Sequence, residues 1–346
     1  MKALIVTEQH TLELRDISPP EPGPYEALVK ILACAICGTT DRELIKGTQP
    51  YNKQYPAVLG HESVGEVVEV GDKVTSFKKG DWVTRATAMP GGRMRDGVYS
   101  CWGGFAEYGI VSDRIAREAD GEANAKYDYT ALRQNVVPTT RGAPDLAQAT
   151  LSISLGETAS WIRGAGPLGG KRVCVAGTGI AGLSCALWAK LAGAKAVTVT
   201  GRRKVRLDLA RDLAADHVVN VKEVDDVAGA IKELNGGGVD VFCEAVGQKD
   251  QLRIAMGCLG KNGVAAIYGV VPEGHYDMDS ASFRSNVTVC TPMAEEHLAF
   301  DWALNMQQRG VIPTEKLMTH QWPFADAVKA FEQVDRGDVV KGMLVM

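Results

Sequence analysis

Apolar and polar positions change rhythm near Gly170. Before that point, short apolar stretches at residues 27–33 (ALVKILA), 66–70 (EVVEV) and 81–84 (DWVT) are separated by PPEPGP, GDK and KKG. Brief valine- and isoleucine-rich runs bounded by Gly, Pro and Asp predict β-strands, so this half reads as β-rich. After it, RVCVAG, AVTVT, HVVNV, VDVFCEAVG and AAIYGVV alternate with the helical stretches IAGLSCALWAKLAGA, RKVRLDLARDLA and VAGAIKELN. Strands alternating with helices predict βαβ units and a parallel sheet. The C-terminal segment returns to mixed elements, with a helix expected near 325–335 and a closing strand in KGMLVM. Residues 117–141 are polar and lack aliphatic periodicity, which predicts a long loop or inserted flap.

Composition narrows the class. The chain has 346 residues, enough for two domains, and is 45% hydrophobic and 23% charged, as in ordinary globular proteins. A net charge of −4 without a basic stripe argues against a nucleic-acid partner. The sequence has no apolar run of the roughly 18 residues that a membrane helix needs. The opening MKALIVTEQH turns polar too soon for a signal peptide, so a cytoplasmic enzyme is the expectation. Eight cysteines are scattered without a disulfide spacing, and most are expected to be buried small apolar residues.

The first chemistry follows the strand RVCVA. Gly177-Thr178-Gly179-Ile180-Ala181-Gly182 opens directly into a helical stretch. In such a fingerprint one glycine makes the turn and the next admits a pyrophosphate. The last lets helix pack on strand, and the helix N-terminus offers free N–H groups. The next strand ends in Gly201-Arg202-Arg203-Lys204, with no carboxylate to hold a ribose 2′-hydroxyl. Two guanidinium groups suit a 2′-phosphate, so NADP(H) is expected rather than NAD(H). Val246-Gly247 and Gly269-Val270, at later strand ends, are candidates for the nicotinamide side.

Two segments in the β-rich half carry metal-binding side chains, Cys37-Gly38-Thr39-Thr40-Asp41 and Gly60-His61-Glu62. Thiolate, imidazole and carboxylate are the donors zinc prefers, and a catalytic site takes three of them and leaves one position open. A third ligand is expected just before the nucleotide fold, where Glu157 lies in LGETA.

The order CGxxD, GHE, GDxV (Gly80 to Val83), GGFAEY (Gly103 to Tyr108) and GTGIAG resembles the medium-chain dehydrogenase/reductase superfamily. The likeness is to its zinc-dependent alcohol, sorbitol and threonine dehydrogenase branch. The resemblance implies an α/β chain, with a GroES-like β-rich catalytic domain (1–155 and 292–346) and a Rossmann, doubly wound parallel-sheet nucleotide domain (156–291). It implies Cys37 and His61 as zinc ligands, with Glu157 or Glu62 as a further one. Glu62 can also trade places with substrate or water, and Thr39 would be the hydroxyl touching the alcohol. The usual CGTD or CGSD is lengthened here by one threonine, so Thr39 and Thr40 both remain candidates. No four-cysteine structural zinc lobe follows GDxV, which implies one catalytic Zn²⁺ per chain. The implied activity is hydride transfer between NADP(H) and a small secondary alcohol or ketone, of polyol, sugar or cyclitol type, by a homodimer or homotetramer. An aldose dehydrogenase is the alternative within the family. The zinc-free quinone or enoyl reductases of the same fold are disfavoured by Cys37 and the GHE segment.

Overall fold

The structure, a computed structural model, describes the chain except residues 50, 51, 53, 90–93, 123, 124, 126, 127, 140, 141, 143, 272, 273 and 279–285. Parts of the polar stretches at 85–97 and 117–141 therefore lie outside the described residues. The chain forms two compact units, Met1–Ser154 with Phe300–Met346, and Leu155–Ala299, so residues 292–299 pack with the second.

Along the chain, β1 (Lys2–Val6), β2 (Leu12–Asp16) and β3 (Glu26–Ile36) lead into a short helix α1 (Thr40–Ile45). Then come β4 (Ala57–Val58), β5 (Ser63–Val70), β6 (Trp82–Thr84), β7 (Tyr99–Ser100) and β8 (Tyr108–Ser112). Helices α2 (Arg114–Ala119), α3 (Tyr129–Leu132) and α4 (Leu146–Arg163) carry the chain into the second unit. That unit alternates β9 (Arg172–Ala176), α5 (Ile180–Leu191), β10 (Ala196–Gly201), α6 (Lys204–Leu213), β11 (His217–Asn220) and α7 (Val227–Leu234). It continues through β12 (Val239–Glu244), α8 (Gln251–Cys258), β13 (Leu259–Ile267) and β14 (Thr288–Cys290). The first unit is completed by α9 (Phe300–Gln308), α10 (Thr314–Leu317), β15 (Met318–Pro323), α11 (Ala327–Arg336) and β16 (Lys341–Val345).

In the first unit one sheet has the order β15-β16-β3-β5-β6, with β8 also on β3, and a smaller one runs β2-β1-β4-β7. β3 carries the pattern EALVKILACAI and is almost wholly buried, as expected of a strand covered on both faces. Leu4, Ile36, Leu44, Leu59, Phe105, Phe331 and Leu344 form one core between these elements. In the second unit all strands are parallel, in the order β11-β10-β9-β12-β13-β14. Strand order reverses between β9 and β12, and ligands of such sheets bind at the carboxyl ends beside that point.

Residues 117–141 are more structured than a flap. Arg117 opens the stretch inside α2, donates to Glu122 and bonds Asp128 at 2.7 Å, and Asp128 in turn caps α3 through the N–H of Ala131. Ion pairs and caps hold here what aliphatic packing holds elsewhere. No helix among the described residues is long and apolar enough to cross a membrane.

Candidate functional site

Strand pairing gathers the chemistry of the first unit. β3 runs antiparallel to β5, with Cys34 opposite Ser63, and to β16, with Ile36 opposite Gly342. Cys37 just after β3, His61 and Glu62 just before β5, and Lys341 at the start of β16 are thereby brought to one end of the sheet. The ligand atoms of Cys37, His61 and Glu62 lie within 4.8 Å of one another.

Each group is held. Asp41, wholly buried, accepts the backbone N–H of Cys37 at 2.8 Å and turns its other oxygen to His61 Nδ1 at 3.4 Å. The ring lies between the two acidic side chains, with Nε2 facing Glu62 Oε1 at 3.7 Å. Trp102 lies against the imidazole with ring centroids 5.2 Å apart. Burial pushes the Cys37 thiol up, but the hydrogen bond and charge of His61 outweigh it and hold the thiol below its usual value. Burial pulls His61 down, yet hydrogen bonds to Asp41 and Cys37 push it up to about 10. The thiol is thus biased towards giving up its proton beside the imidazole, and that proton is one a divalent cation would replace.

Glu62 is gripped from behind. Lys341, at 2% exposure, donates to Oε1 at 2.7 Å, and Ser154 donates to Oε2 at 3.0 Å. Burial raises the Glu62 carboxyl, and the charges of Lys341, His61 and Arg85 more than reverse this, so it is held ionised. Arg85 is buried in a left-handed backbone conformation (φ 57°) and donates to the His61 carbonyl at 2.7 Å. Thr39 is the N-cap residue before α1 and its hydroxyl makes no cap bond, while Thr40 is the first residue of the helix. Glu157 lies half-buried in the part of α4 that belongs to the second unit.

The second unit carries the glycine loop between β9 and α5. Gly177 has φ 113°, and a side chain there would strike the Ala245 carbonyl at 2.8 Å. A side chain on Gly182 would run into the Gly177 carbonyl. At Gly179 a Cβ would meet nothing within 4 Å, so that glycine leaves room for a ligand rather than for the protein. A dinucleotide phosphate fits this cradle, because Gly179 caps α5 without a side chain and the first N–H groups of the helix remain free for an anion.

Gly201 leaves room for Thr178, whose Cγ2 would lie 2.6 Å from an added Cβ. Arg202 and Arg203 are exposed at the start of α6. Arg206, one turn on, is buried and its Nη1 approaches the Thr178 carbonyl at 3.5 Å. Val246-Gly247 and Gly269-Val270 meet, since a Cβ on Gly247 would strike the Val270 carbonyl.

Comparison with known proteins agrees with this layout. Residues 23–119 match the alcohol dehydrogenase GroES-like domain, and residues 181–306 match the zinc-binding dehydrogenase domain. The L-threonine 3-dehydrogenase of Pyrococcus furiosus is 30% identical over 100% of this chain and 99% of its own. The chain belongs to the zinc-dependent medium-chain dehydrogenase/reductase superfamily. A sorbitol dehydrogenase of Bacillus subtilis is 25% identical over 96% of this chain and 93% of its own. Benzyl alcohol dehydrogenase of Acinetobacter calcoaceticus shares the fold, with a TM-score of 0.85 at 22% identity, covering 100% of this chain and 99% of that one. As a medium-chain dehydrogenase the protein is an oxidoreductase of alcohol, threonine or sorbitol dehydrogenase type, pairing zinc with a nicotinamide cofactor. Its fold combines the GroES-like domain with a doubly wound parallel sheet.

Sequence reading passed over the supports of these sites. Asp41 was visible in CGxxD but its hold on His61 was not. Ser154, Lys341 and Arg206 carry no motif. Only the charge of Lys341 in an otherwise apolar closing strand hinted at a buried partner.

Proposed function

We propose that the protein is an NADP(H)-dependent zinc dehydrogenase that interconverts a small hydroxyl-rich secondary alcohol and its ketone. The observation that carries this reading is the convergence of Cys37, His61 and Glu62, ligand atoms within 4.8 Å, with Asp41 behind them. A thiol, an imidazole and a carboxylate are a fitting donor set for one Zn²⁺, with Glu157 as a further candidate. Zinc held there supplies Lewis acidity towards the substrate oxygen, and NADP⁺ supplies the hydride acceptor.

The chain's own residues do the rest. Asp41 holds the His61 tautomer that presents Nε2. Thr39 or Thr40 takes the hydroxyl proton of the alcohol and passes it outward. Lys341 and Ser154 hold Glu62 beside Cys37 and His61, where it would serve a bound zinc or give way to substrate or water. The glycine loop takes the pyrophosphate, and Arg202, Arg203 and Arg206 favour a 2′-phosphate. The level of identity to a threonine dehydrogenase favours a second reading, in which the alcohol is that of a β-hydroxy amino acid.

The deciding experiment measures bound metal and screens polyols, sugars, L-threonine and simple secondary alcohols with NADP⁺ and NAD⁺. One zinc per chain and NADP⁺-linked oxidation of a polyol are expected, and the Cys37→Ser protein should lose metal and turnover while still binding NADPH. Full turnover by a metal-free protein would end the reading, and a preference for NAD⁺ would end its cofactor half. Thr39→Ala and Thr40→Ala separate the two relay candidates, since only the relay hydroxyl should lower kcat by about a hundredfold or more.

A further inference from the structure

Glu244 ends β12 at the carboxyl edge of the parallel sheet, level with Ala176 on one side and Ile267 on the other. It is wholly buried, and among the described residues its carboxylate has no cationic partner. Its Oε1 accepts the N–H groups of Val246 at 2.6 Å and Gly247 at 2.8 Å. Its main-chain carbonyl accepts those of Tyr268 at 2.9 Å and Gly269 at 3.1 Å. One residue therefore holds four N–H groups, two from each of the turns that end β12 and β13.

Tyr276 closes the arrangement from the following segment. Its hydroxyl lies 3.1 Å from both Glu244 Oε2 and the Gly269 carbonyl, and can give its proton to either. Burial, then the Glu244 charge, push the phenol up, so it remains a donor throughout the working range. The segment is anchored again by the N–H of Asp277 on the Lys249 carbonyl at 2.7 Å. Packing is tight: a Cβ on Gly269 would come within 2.5 Å of Glu244 Oε2.

A buried carboxylate without a counter-cation costs stability. An apolar residue would fill the space more cheaply but would leave the Val246 and Gly247 N–H groups unheld. We propose that Glu244, latched by Tyr276, is a positioning residue for the nicotinamide half of the cofactor. It fixes Val246-Gly247 against Gly269-Val270 so that their outer faces form a rigid rest for that half. The inference depends on those two turns receiving the cofactor, as the proposed function requires. With these N–H groups drawn inward, the pair of turns keeps few donors for an anion, which disfavours a phosphate.

Calorimetric binding to the full-length protein tests this with two ligands, NADPH and 2′,5′-ADP, which lacks the nicotinamide half. Unmodified protein that binds neither would remove the cofactor reading itself, before any variant is made. Given binding, Glu244→Ala should weaken NADPH by about tenfold or more and Tyr276→Phe by about threefold to tenfold, with 2′,5′-ADP unchanged in both. Glu244→Gln keeps an oxygen for the two N–H groups and should recover NADPH affinity to within about threefold. Equal weakening of both ligands would reduce Glu244 to a stabiliser of the unit. Unchanged NADPH affinity in Glu244→Ala, or in Tyr276→Phe should the alanine protein not fold, would overturn the proposal.

Discussion

Replacing Lys341 with Met is the most severe single test of the first unit. The side chains of Lys341 and Glu62 are 1% and 6% exposed, and Nζ donates to Oε1 at 2.7 Å. Methionine keeps the apolar stem and removes the charge, so Glu62 stays buried with Ser154 as its remaining hydrogen-bond donor, the His61 ring 3.7 Å away and Arg85 as a more distant cation. Breaking a buried pair from one side costs about 3–5 kcal/mol, because the other charge loses its partner, and the nearby His61 ring offsets only part of that loss for Glu62. For a unit of roughly 200 residues that corresponds to a fall in Tm of about 6–20 °C. The assay is thermal and urea unfolding of metal-stripped protein, which keeps metal binding out of the comparison. The double variant Lys341→Met with Glu62→Leu removes both charges and should recover at least about 2 kcal/mol relative to Lys341→Met alone. A single variant within about 1 kcal/mol of the parent, or a double variant no more stable than the single one, would refute the claim that the pair is energetically coupled.

Two further predictions address other parts of the molecule. Arg206→Ala should weaken NADP⁺ binding by about tenfold or more, and exceed the effect of Arg202→Ala, because a buried guanidinium beside the glycine loop is better positioned than an exposed one; equal effects in a titration of the two variants would contradict this. Asp113 accepts the N–H groups of Thr75 at 2.6 Å, Ser76 at 2.7 Å and Ala116 at 2.9 Å, and Asp113→Asn should cost about 1–3 kcal/mol in urea unfolding. Burial pushes the Asp113 carboxyl up, but those N–H donors outweigh it and hold it below its ordinary value. Its contribution is therefore present above the unfolded value near pH 4 and is lost as pH falls through the lower folded value, so the penalty of Asp113→Asn should shrink below about pH 4. A penalty independent of pH would show that the charge is irrelevant.

Much of the second unit was legible because most of its strands are short apolar runs rich in valine and its glycines occupy fixed offsets from β9. Helix α4 was not, since its sequence LAQATLSISLGETASWIR is rich in Ser and Thr, residues that usually favour turns. In the folded chain those hydroxyls bond back one turn, Thr150 to the Leu146 carbonyl at 2.6 Å and Ser152 to that of Gln148 at 2.8 Å. The candidate ligands Cys37, His61 and Glu62 could be named from residue type and motif order. Their supports could not, because Lys341 meets Glu62 across 279 residues of sequence and only the register of β16 on β3 brings them together. Arg206 was masked by the two arginines before it, since burial along α6 is set by its packing rather than by charge spacing.

The closing strand has a consequence for incomplete chains. β16 pairs with the last residues of β3, Ala33–Ile36, beyond the stretch that β8 covers, and its first residue is the cation behind Glu62. A chain cut before residue 341 would lose that cation and uncover unpaired N–H and C=O groups at the end of β3 and along β15 in one stroke. Truncated or nascent copies should therefore adhere to one another through this edge before they can take up metal, which makes a full-length tail a condition for staying dispersed as much as for activity.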